Sequence, residues 1–124
     1  MTYREDLLTE TIIECINKVH KTLGPGFLES IYRKSLNLEL QHHNLNVEME
    51  KEIVVYYENQ EVGCHRLDML VQGKVIIELK TVEALSPAHY AQVRSYLKAT
   101  NAPLAILVNF SRERADFRRI ERKL

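Results

Sequence analysis

Two acidic residues and a lysine interrupt stretches that otherwise read as buried β-strands. Asp68 lies in the apolar segment 67–71, and Glu78 and Lys80 lie in the apolar segment 75–80. Carboxylates among apolar side chains are costly to bury unless they are paired or bind a metal. Two carboxylates suit a hard divalent cation, and a nearby ammonium stabilises charge on a phosphate. The pattern therefore indicates metal-dependent phosphodiester chemistry, with a half-buried salt bridge as the alternative.

The parity of the two segments predicts how the strands pair. Side chains alternate between faces along a strand, and a three-residue loop at 72–74 pairs Val71 with Val75. Counting back from that pair sets Asp68 opposite Glu78, with Cβ atoms about 4.5–5.5 Å apart. All odd positions are then expected to share one core face, namely Leu67, Met69, Val71, Val75, Ile77 and Leu79.

Two further residues of these strands are candidates for the site. Leu79 lies between Glu78 and Lys80 and offers its backbone carbonyl as a metal ligand. Arg66 is expected to share the Asp68 face, where it could contact phosphate or pair with Glu78.

The elements that would position these residues follow from hydrophobic periodicity and from turn residues. A short apolar run is typical of a strand buried on both faces, and Ser86-Pro87 is a favourable helix start. The last element, near 117–120, is either a strand or a frayed helix. The predicted helices cover about 5–23, 27–43 and 87–100; the predicted strands cover 47–57, 62–71, 75–80 and 104–108, with a turn at Asn59-Gln60.

This order predicts an α/β or α+β fold in which one mixed sheet is flanked by helices. Three successive strands joined by short turns favour an antiparallel meander, and the following helix is a crossover that makes the next strand parallel to its neighbour. Residues 1–124 fit one compact domain.

Composition excludes several classes and leaves the partner open. The 17 basic and 17 acidic residues balance, so the net charge gives no indication of nucleic-acid binding. Several arginines are nevertheless concentrated in residues 112–124. No apolar run could span a bilayer, no signal peptide is visible, and Cys15 and Cys64 form no CxxC pair. We predict a cytoplasmic protein with two structural thiols and no membrane partner. P-loop and Gly-x-Ser-x-Gly motifs are absent from the sequence.

Three motifs together resemble a known family. An Asp on one strand and Glu-x-Lys on the next are similar to the PD-(D/E)XK nuclease superfamily, with Leu67 in place of its proline. Residues 26–32 match the GxxExxY signature of one branch, through Gly26, Glu29 and Tyr32. Residues 92–96 match the QxxxY motif of RecB-type nucleases. The resemblance implies a restriction-endonuclease-like core of order αβββαβ.

The resemblance also assigns roles to individual residues. Asp68 and Glu78 would be metal ligands, Lys80 the catalytic lysine, and Glu29 a further ligand, directly or through water. Gln92 would join the catalytic group, and Gln92 and Tyr96 would border the substrate. The implied function is a Mg²⁺- or Mn²⁺-dependent deoxyribonuclease. The alternative is a non-catalytic nucleic-acid-binding or assembly module that keeps the fold. A homodimer is compatible with the small size, but no residue pattern requires one.

Overall fold

The computed structural model describes residues 3–123, with side chains from residue 6 onward. All the predicted helices and strands are present in this part, with ends shifted by a few residues. The final segment, left open between strand and helix, is a strand. In chain order the elements are α1 (Tyr3–Leu23), α2 (Glu29–His42), β1 (Val47–Tyr57), β2 (Gln60–Val71), β3 (Val75–Lys80), α3 (Pro87–Ala99), β4 (Leu104–Asn109) and β5 (Asp116–Glu121).

The strands form one mixed sheet in the order β1-β2-β3-β4-β5. β1, β2 and β3 are the predicted antiparallel meander, and β5 is antiparallel to β4. α3 crosses over between β3 and β4, which run parallel as predicted. The carboxyl ends of these two strands therefore lie side by side, with Lys80 paired to Asn109.

Helices cover both faces of the sheet. α1 and α2 pack on one face, where Ile12, Ile16 and Leu36 are fully buried. α3 packs on the other face through Val93 and Leu97. Burial on both sides explains why every residue of β4 is buried. Within residues 3–123, no helix has the length and apolar character needed to cross a bilayer.

Local sequence explains where the site-bearing helices begin. α3 starts after Ser86, whose N–H donates to Nδ1 of His89 at 2.9 Å, and a proline follows at the first helical position. α2 begins two residues later than predicted, because Leu28 has extended backbone angles. The preceding Phe27 N–H donates to the Tyr32 hydroxyl at 3.2 Å, which holds this segment outside the helix.

The β2–β3 turn confirms the predicted register. Val71 pairs with Val75 across a loop that begins with Gln72 and Gly73 at φ of 56° and 64°. The Lys74 N–H donates to the Val71 carbonyl at 2.9 Å and closes the loop. Glycine adopts such positive φ at little cost, which suits it to this position.

The β1–β2 turn lies one residue earlier than predicted. Glu58 and Asn59 both have positive φ, 49° and 65°, as in the tight turns that match the twist of a hairpin, and Gln60 already belongs to β2. Farther along this hairpin Cys64 is exposed, so it is not the structural thiol that we predicted, whereas Cys15 is buried in α1.

The expectation that the odd residues of β2 share one face is wrong. Met69 packs against α1 and α2, but Leu67 packs on the α3 face. Between them the β1–β2 ladder is interrupted opposite Asp68, where Glu50 has a φ of 49°. Leu67 and Met69, which flank Asp68, thus point to opposite faces of the sheet, so the regular alternation of side chains is interrupted at Asp68.

Candidate active site

The β2–β3 hairpin opens at Asp68 and Glu78. Regular pairing of these strands covers three residue pairs and ends at Met69 and Ile77. At the next position, Glu78 Oε1 accepts the Asp68 N–H at 2.8 Å, and Asp68 Oδ2 accepts the Leu79 N–H at 2.9 Å. Each carboxylate thus takes the place of a backbone carbonyl in the ladder. The predicted register brings the two acidic side chains together where the strands diverge.

Burial makes the Glu78 carboxylate difficult to ionise. The residue is only 3% exposed. Burial is the largest cause that raises the pKa of Glu78 to about 8, and the nearby Asp68 charge raises it further. The Asp68 N–H and Lys80 act in the opposite direction but do not compensate. A further cation beside the Glu78 carboxylate, in addition to the Lys80 ammonium, would lower its pKa and favour its charged form.

Lys80 lies at the end of β3 and contacts α3. Its Nζ donates to Gln92 Oε1 at 3.0 Å. Gln92 lies on the second turn of α3, which begins after Ser86. The point at which α3 begins therefore determines where Gln92 meets the Lys80 ammonium. The structure brings together Asp68, Glu78 and Lys80, and it adds Gln92 as the partner of the lysine.

Tyr96 lies one helical turn beyond Gln92 and is almost fully buried, at 6% exposure. Its ring packs edge-on against His65, with centroids 4.6 Å apart. Burial raises the pKa of Tyr96 to about 12, with smaller contributions from the Glu78 and Asp68 charges. The hydroxyl therefore stays protonated at neutral pH.

Glu29 reaches the site from the first turn of α2 but is bound to an arginine. Arg33 Nη2 lies 3.0 Å from Glu29 Oε2, and Arg33 Nε lies 3.4 Å from Asp68 Oδ1. Burial raises the pKa of Glu29, as does the Asp68 charge, whereas Arg33 and Lys80 lower it. Arg33 was not among the predicted site residues; its one signal in the sequence was the four-residue spacing from Glu29, which is common on solvated helices.

The other two residues of the GxxExxY signature have structural surroundings. Tyr32 is fully buried, stacks on Phe110 at 4.5 Å, and donates its hydroxyl proton to the Gly24 carbonyl at 2.5 Å. Gly26 has a φ of 106°, a conformation that other residues rarely adopt. These contacts fix the loop before α2 and hence the first turn that carries Glu29.

The chain matches a known family over nearly its whole described length. Residues 6–120 match the model of the PD-(D/E)XK nuclease superfamily. The chain belongs to this superfamily. PD-(D/E)XK proteins are typically nucleases that hydrolyse phosphodiester bonds of nucleic acid, and they generally use divalent metal ions. No curated protein matches the chain significantly.

A solved structure is similar to this chain in fold. The crystal structure of SSO0001 superposes with a TM-score of 0.61 at 24% sequence identity, over 77% of this chain and 50% of that one. The chain thus spans about half the length of that protein. The mixed five-stranded sheet flanked by helices is restriction-endonuclease-like, as predicted.

The donor set fits the divalent ion that PD-(D/E)XK nucleases use. Backbone N–H groups donate to Glu78 Oε1 and Asp68 Oδ2, so an ion would take the second oxygen of each carboxylate; for Asp68 this is Oδ1, which lies 3.4 Å from Arg33 Nε. In residues 6–123, no three His, Cys, Asp or Glu side chains gather closely enough to hold a metal by themselves. Mg²⁺ is commonly held by one or two carboxylates and keeps several waters, so two carboxylates suffice.

Arg66 lies outside the contacts of the Asp68–Glu78 pair. It pairs with Glu52, its neighbour in β1, at 3.3 Å, and its side chain is 63% exposed. The pairing with Glu78 that the sequence left open is therefore not formed. Its role toward a PD-(D/E)XK substrate stays a prediction.

Proposed function

We propose that this chain is a Mg²⁺- or Mn²⁺-dependent nuclease that cleaves phosphodiester bonds of DNA, with Asp68 and Glu78 as the ion's carboxylate ligands. The observation that carries the proposal is the carboxylate pair, held by two reciprocal backbone hydrogen bonds at the opening of the β2–β3 hairpin. The Leu79 carbonyl is the proposed backbone ligand. A bound divalent ion polarises a phosphoryl oxygen and lowers the pKa of its water.

The remaining steps fall to side chains of the chain. Lys80 directs an ammonium at the charge that develops on the phosphate, and Gln92 holds it in place. Glu29 would act from the edge of the site through water, because Arg33 already holds its carboxylate. The buried Tyr96 anchors the face of α3 that carries Gln92. Gly26 and Tyr32 determine the conformation of the loop that precedes Glu29.

A basic groove supports nucleic acid as the substrate. The β4–β5 loop and the start of β5 line a cavity of about 670 Å³; its charged lining residues are Arg112, Glu113, Arg114, Asp116 and Arg118. Arginine forks bind phosphate oxygens in pairs, which makes them suited to a nucleic-acid backbone.

The groove lies at the same end of the sheet as the carboxylates. The loop starts at Phe110, whose N–H donates to the Lys80 carbonyl at 2.9 Å. Strands are about 4.8 Å apart, so the β4–β5 loop begins beside β3 and ends at β5, roughly 10 Å from β3. One DNA strand carries a phosphate about every 3.4 Å along the axis, so the groove would hold phosphates a few nucleotides from the cleaved bond.

The function is tested by incubating the purified chain with single- and double-stranded DNA, with and without Mg²⁺ or Mn²⁺. Ion-dependent cleavage is expected, and Asp68→Asn and Lys80→Ala should abolish it. Glu58→Gln, which changes an exposed acid at the hairpin tip, is the matched control and should cleave normally. DNA binding without cleavage under every ion condition would contradict the proposal and indicate the non-catalytic binding module.

A further inference from the structure

A single guanidinium occupies the space among three carboxylates at the edge of the candidate active site. Arg33 lies 3.0 Å from Glu29, 3.6 Å from Glu50 and 3.4 Å from Asp68, measured between the nearest nitrogen and oxygen atoms. Its side chain is only 16% exposed, in contrast to an ordinary surface arginine. The three acids come from α2, β1 and β2, so the arginine ties the helix to the sheet at this point.

The three contacts are not equivalent. Nη2 makes a hydrogen-bonded ion pair with Glu29. Nε is buried and has no hydrogen-bond acceptor among the described residues, although Asp68 Oδ1 is within ion-pair distance. The N–H of Nε is therefore not aimed at Asp68, and the contact with Asp68 is purely electrostatic. It is the contact that can be broken while the hydrogen bond to Glu29 stays.

A divalent ion on Asp68 would compete directly with this guanidinium. Mg²⁺ binds carboxylate oxygens at about 2.1 Å, so an ion on Asp68 Oδ1 would lie within about 5.5 Å of Arg33 Nε. Two positive charges this close in a partly buried site repel strongly. The oxygen that faces Arg33 is also the Asp68 oxygen that the Leu79 N–H leaves unused.

We propose that Arg33 is the internal counter-cation of Asp68 and Glu29, that a divalent ion displaces it from Asp68, and that Arg33 thereby sets the ion affinity of the site. This inference rests on the proposed function, because it takes Asp68 as an ion ligand. The displaced guanidinium would withdraw toward Glu29 and Glu50, and its hold on Glu29 would keep that carboxylate from binding the ion directly.

The test is Mn²⁺ binding by calorimetry at fixed pH and ionic strength, without nucleic acid. Arg33→Gln should bind Mn²⁺ roughly tenfold more tightly than the wild type, because the competing charge is gone. Arg33→Lys should lie between the two, since one ammonium cannot contact all three carboxylates at once. Arg119→Gln is the matched control: Arg119 also contacts two carboxylates, those of Asp6 and Glu121, and its loss should leave Mn²⁺ affinity unchanged.

The outcomes separate this inference from the proposed function. Equal or weaker Mn²⁺ affinity in Arg33→Gln, with clear binding by the wild type, overturns the competition and leaves the nuclease proposal standing. Absence of Mn²⁺ binding by wild type and variant alike overturns both. If Arg33→Gln does not fold, Arg33→Lys decides, because an affinity no tighter than that of the wild type contradicts the proposal.

Discussion

Asp68 and Glu78 each accept a hydrogen bond from the backbone of the strand that carries the other. The site is therefore part of the sheet, and each carboxylate has a structural duty besides its proposed role as an ion ligand. Substitutions must be chosen with both in mind, because removing a carboxylate also removes a backbone partner.

Asp68→Ala should destabilise the protein as well as abolish cleavage. The Leu79 N–H, which is fully buried, would lose its acceptor, and a buried unsatisfied donor costs about 1–3 kcal/mol. Asp68→Asn keeps an acceptor oxygen and should cost less while still abolishing cleavage. Urea unfolding at pH 6 measures both variants; equal stability of the two would show that this hydrogen bond contributes nothing.

The stability of the ion-free protein should fall as pH rises from about 4.5 to about 8. In this window the folded protein keeps the Glu78 proton that the unfolded chain has lost, because the folded pKa is raised to about 8 from 4.5. Since the unfolded state then binds fewer protons, higher pH favours unfolding. Glu78→Gln should remove this contribution and be less sensitive to pH, as measured by urea unfolding in a chelator.

The control for the pH experiment is Glu58→Gln, at the exposed hairpin tip, which should follow the wild-type curve. Parallel curves for the wild type and Glu78→Gln would refute the assignment of the titration to Glu78. The same linkage predicts that Mn²⁺ binding at neutral pH releases about one proton, which calorimetry in buffers of different ionisation enthalpy detects.

Gln92→Ala should lower kcat more than it changes KM. The lysine ammonium would remain, but without the 3.0 Å hydrogen bond that orients it. Supporting residues of this kind typically change activity by about 10–100-fold. Lys80→Ala should abolish cleavage, whereas Lys74→Ala, in the exposed turn at the other end of β3, should not. A change in KM alone for Gln92→Ala would indicate substrate binding instead of lysine positioning.

Arg114→Ala should reduce the salt dependence of DNA binding. Arg114 is exposed and has no ion-pair or hydrogen-bond partner among residues 6–123, whereas Arg118 pairs with Asp116 at 2.5 Å. Loss of one phosphate contact lowers the slope of log K against log salt by about 1. Anisotropy titrations in an Asp68→Asn background avoid cleavage, and Lys74→Ala is the control. An unchanged slope for Arg114→Ala would remove the groove from the binding surface.

Much of the fold was predictable because its determinants are local. The three-residue loop after Val71 fixed the pairing with Val75, and the alternation of side chains then placed Asp68 beside Glu78. Ser86 and the following proline marked the start of α3 correctly. In each case a few neighbouring residues determine the conformation, so a pattern in the sequence is sufficient.

The parts that were missed depend on contacts between distant segments. Leu67 lies on the α3 face because the ladder breaks at Glu50, and nothing in the sequence of β1 signals a positive φ at a glutamate. Arg33 looked like half of an ordinary helix pair with Glu29. Only the approach of α2 to the sheet reveals that it also faces Asp68.

The length of the loop at 72–74 sets the register of β2 against β3 and thereby the pairing of Asp68 with Glu78, although the loop lies at the other end of the hairpin. Only three residue pairs separate it from Asp68 and Glu78. If one residue were inserted and the three-residue loop were kept, the register would shift by one, Asp68 would lie opposite Leu79, and the side chains of one strand would point to the opposite face. The proposed chemistry therefore requires the length of this loop as much as it requires the two acidic residues.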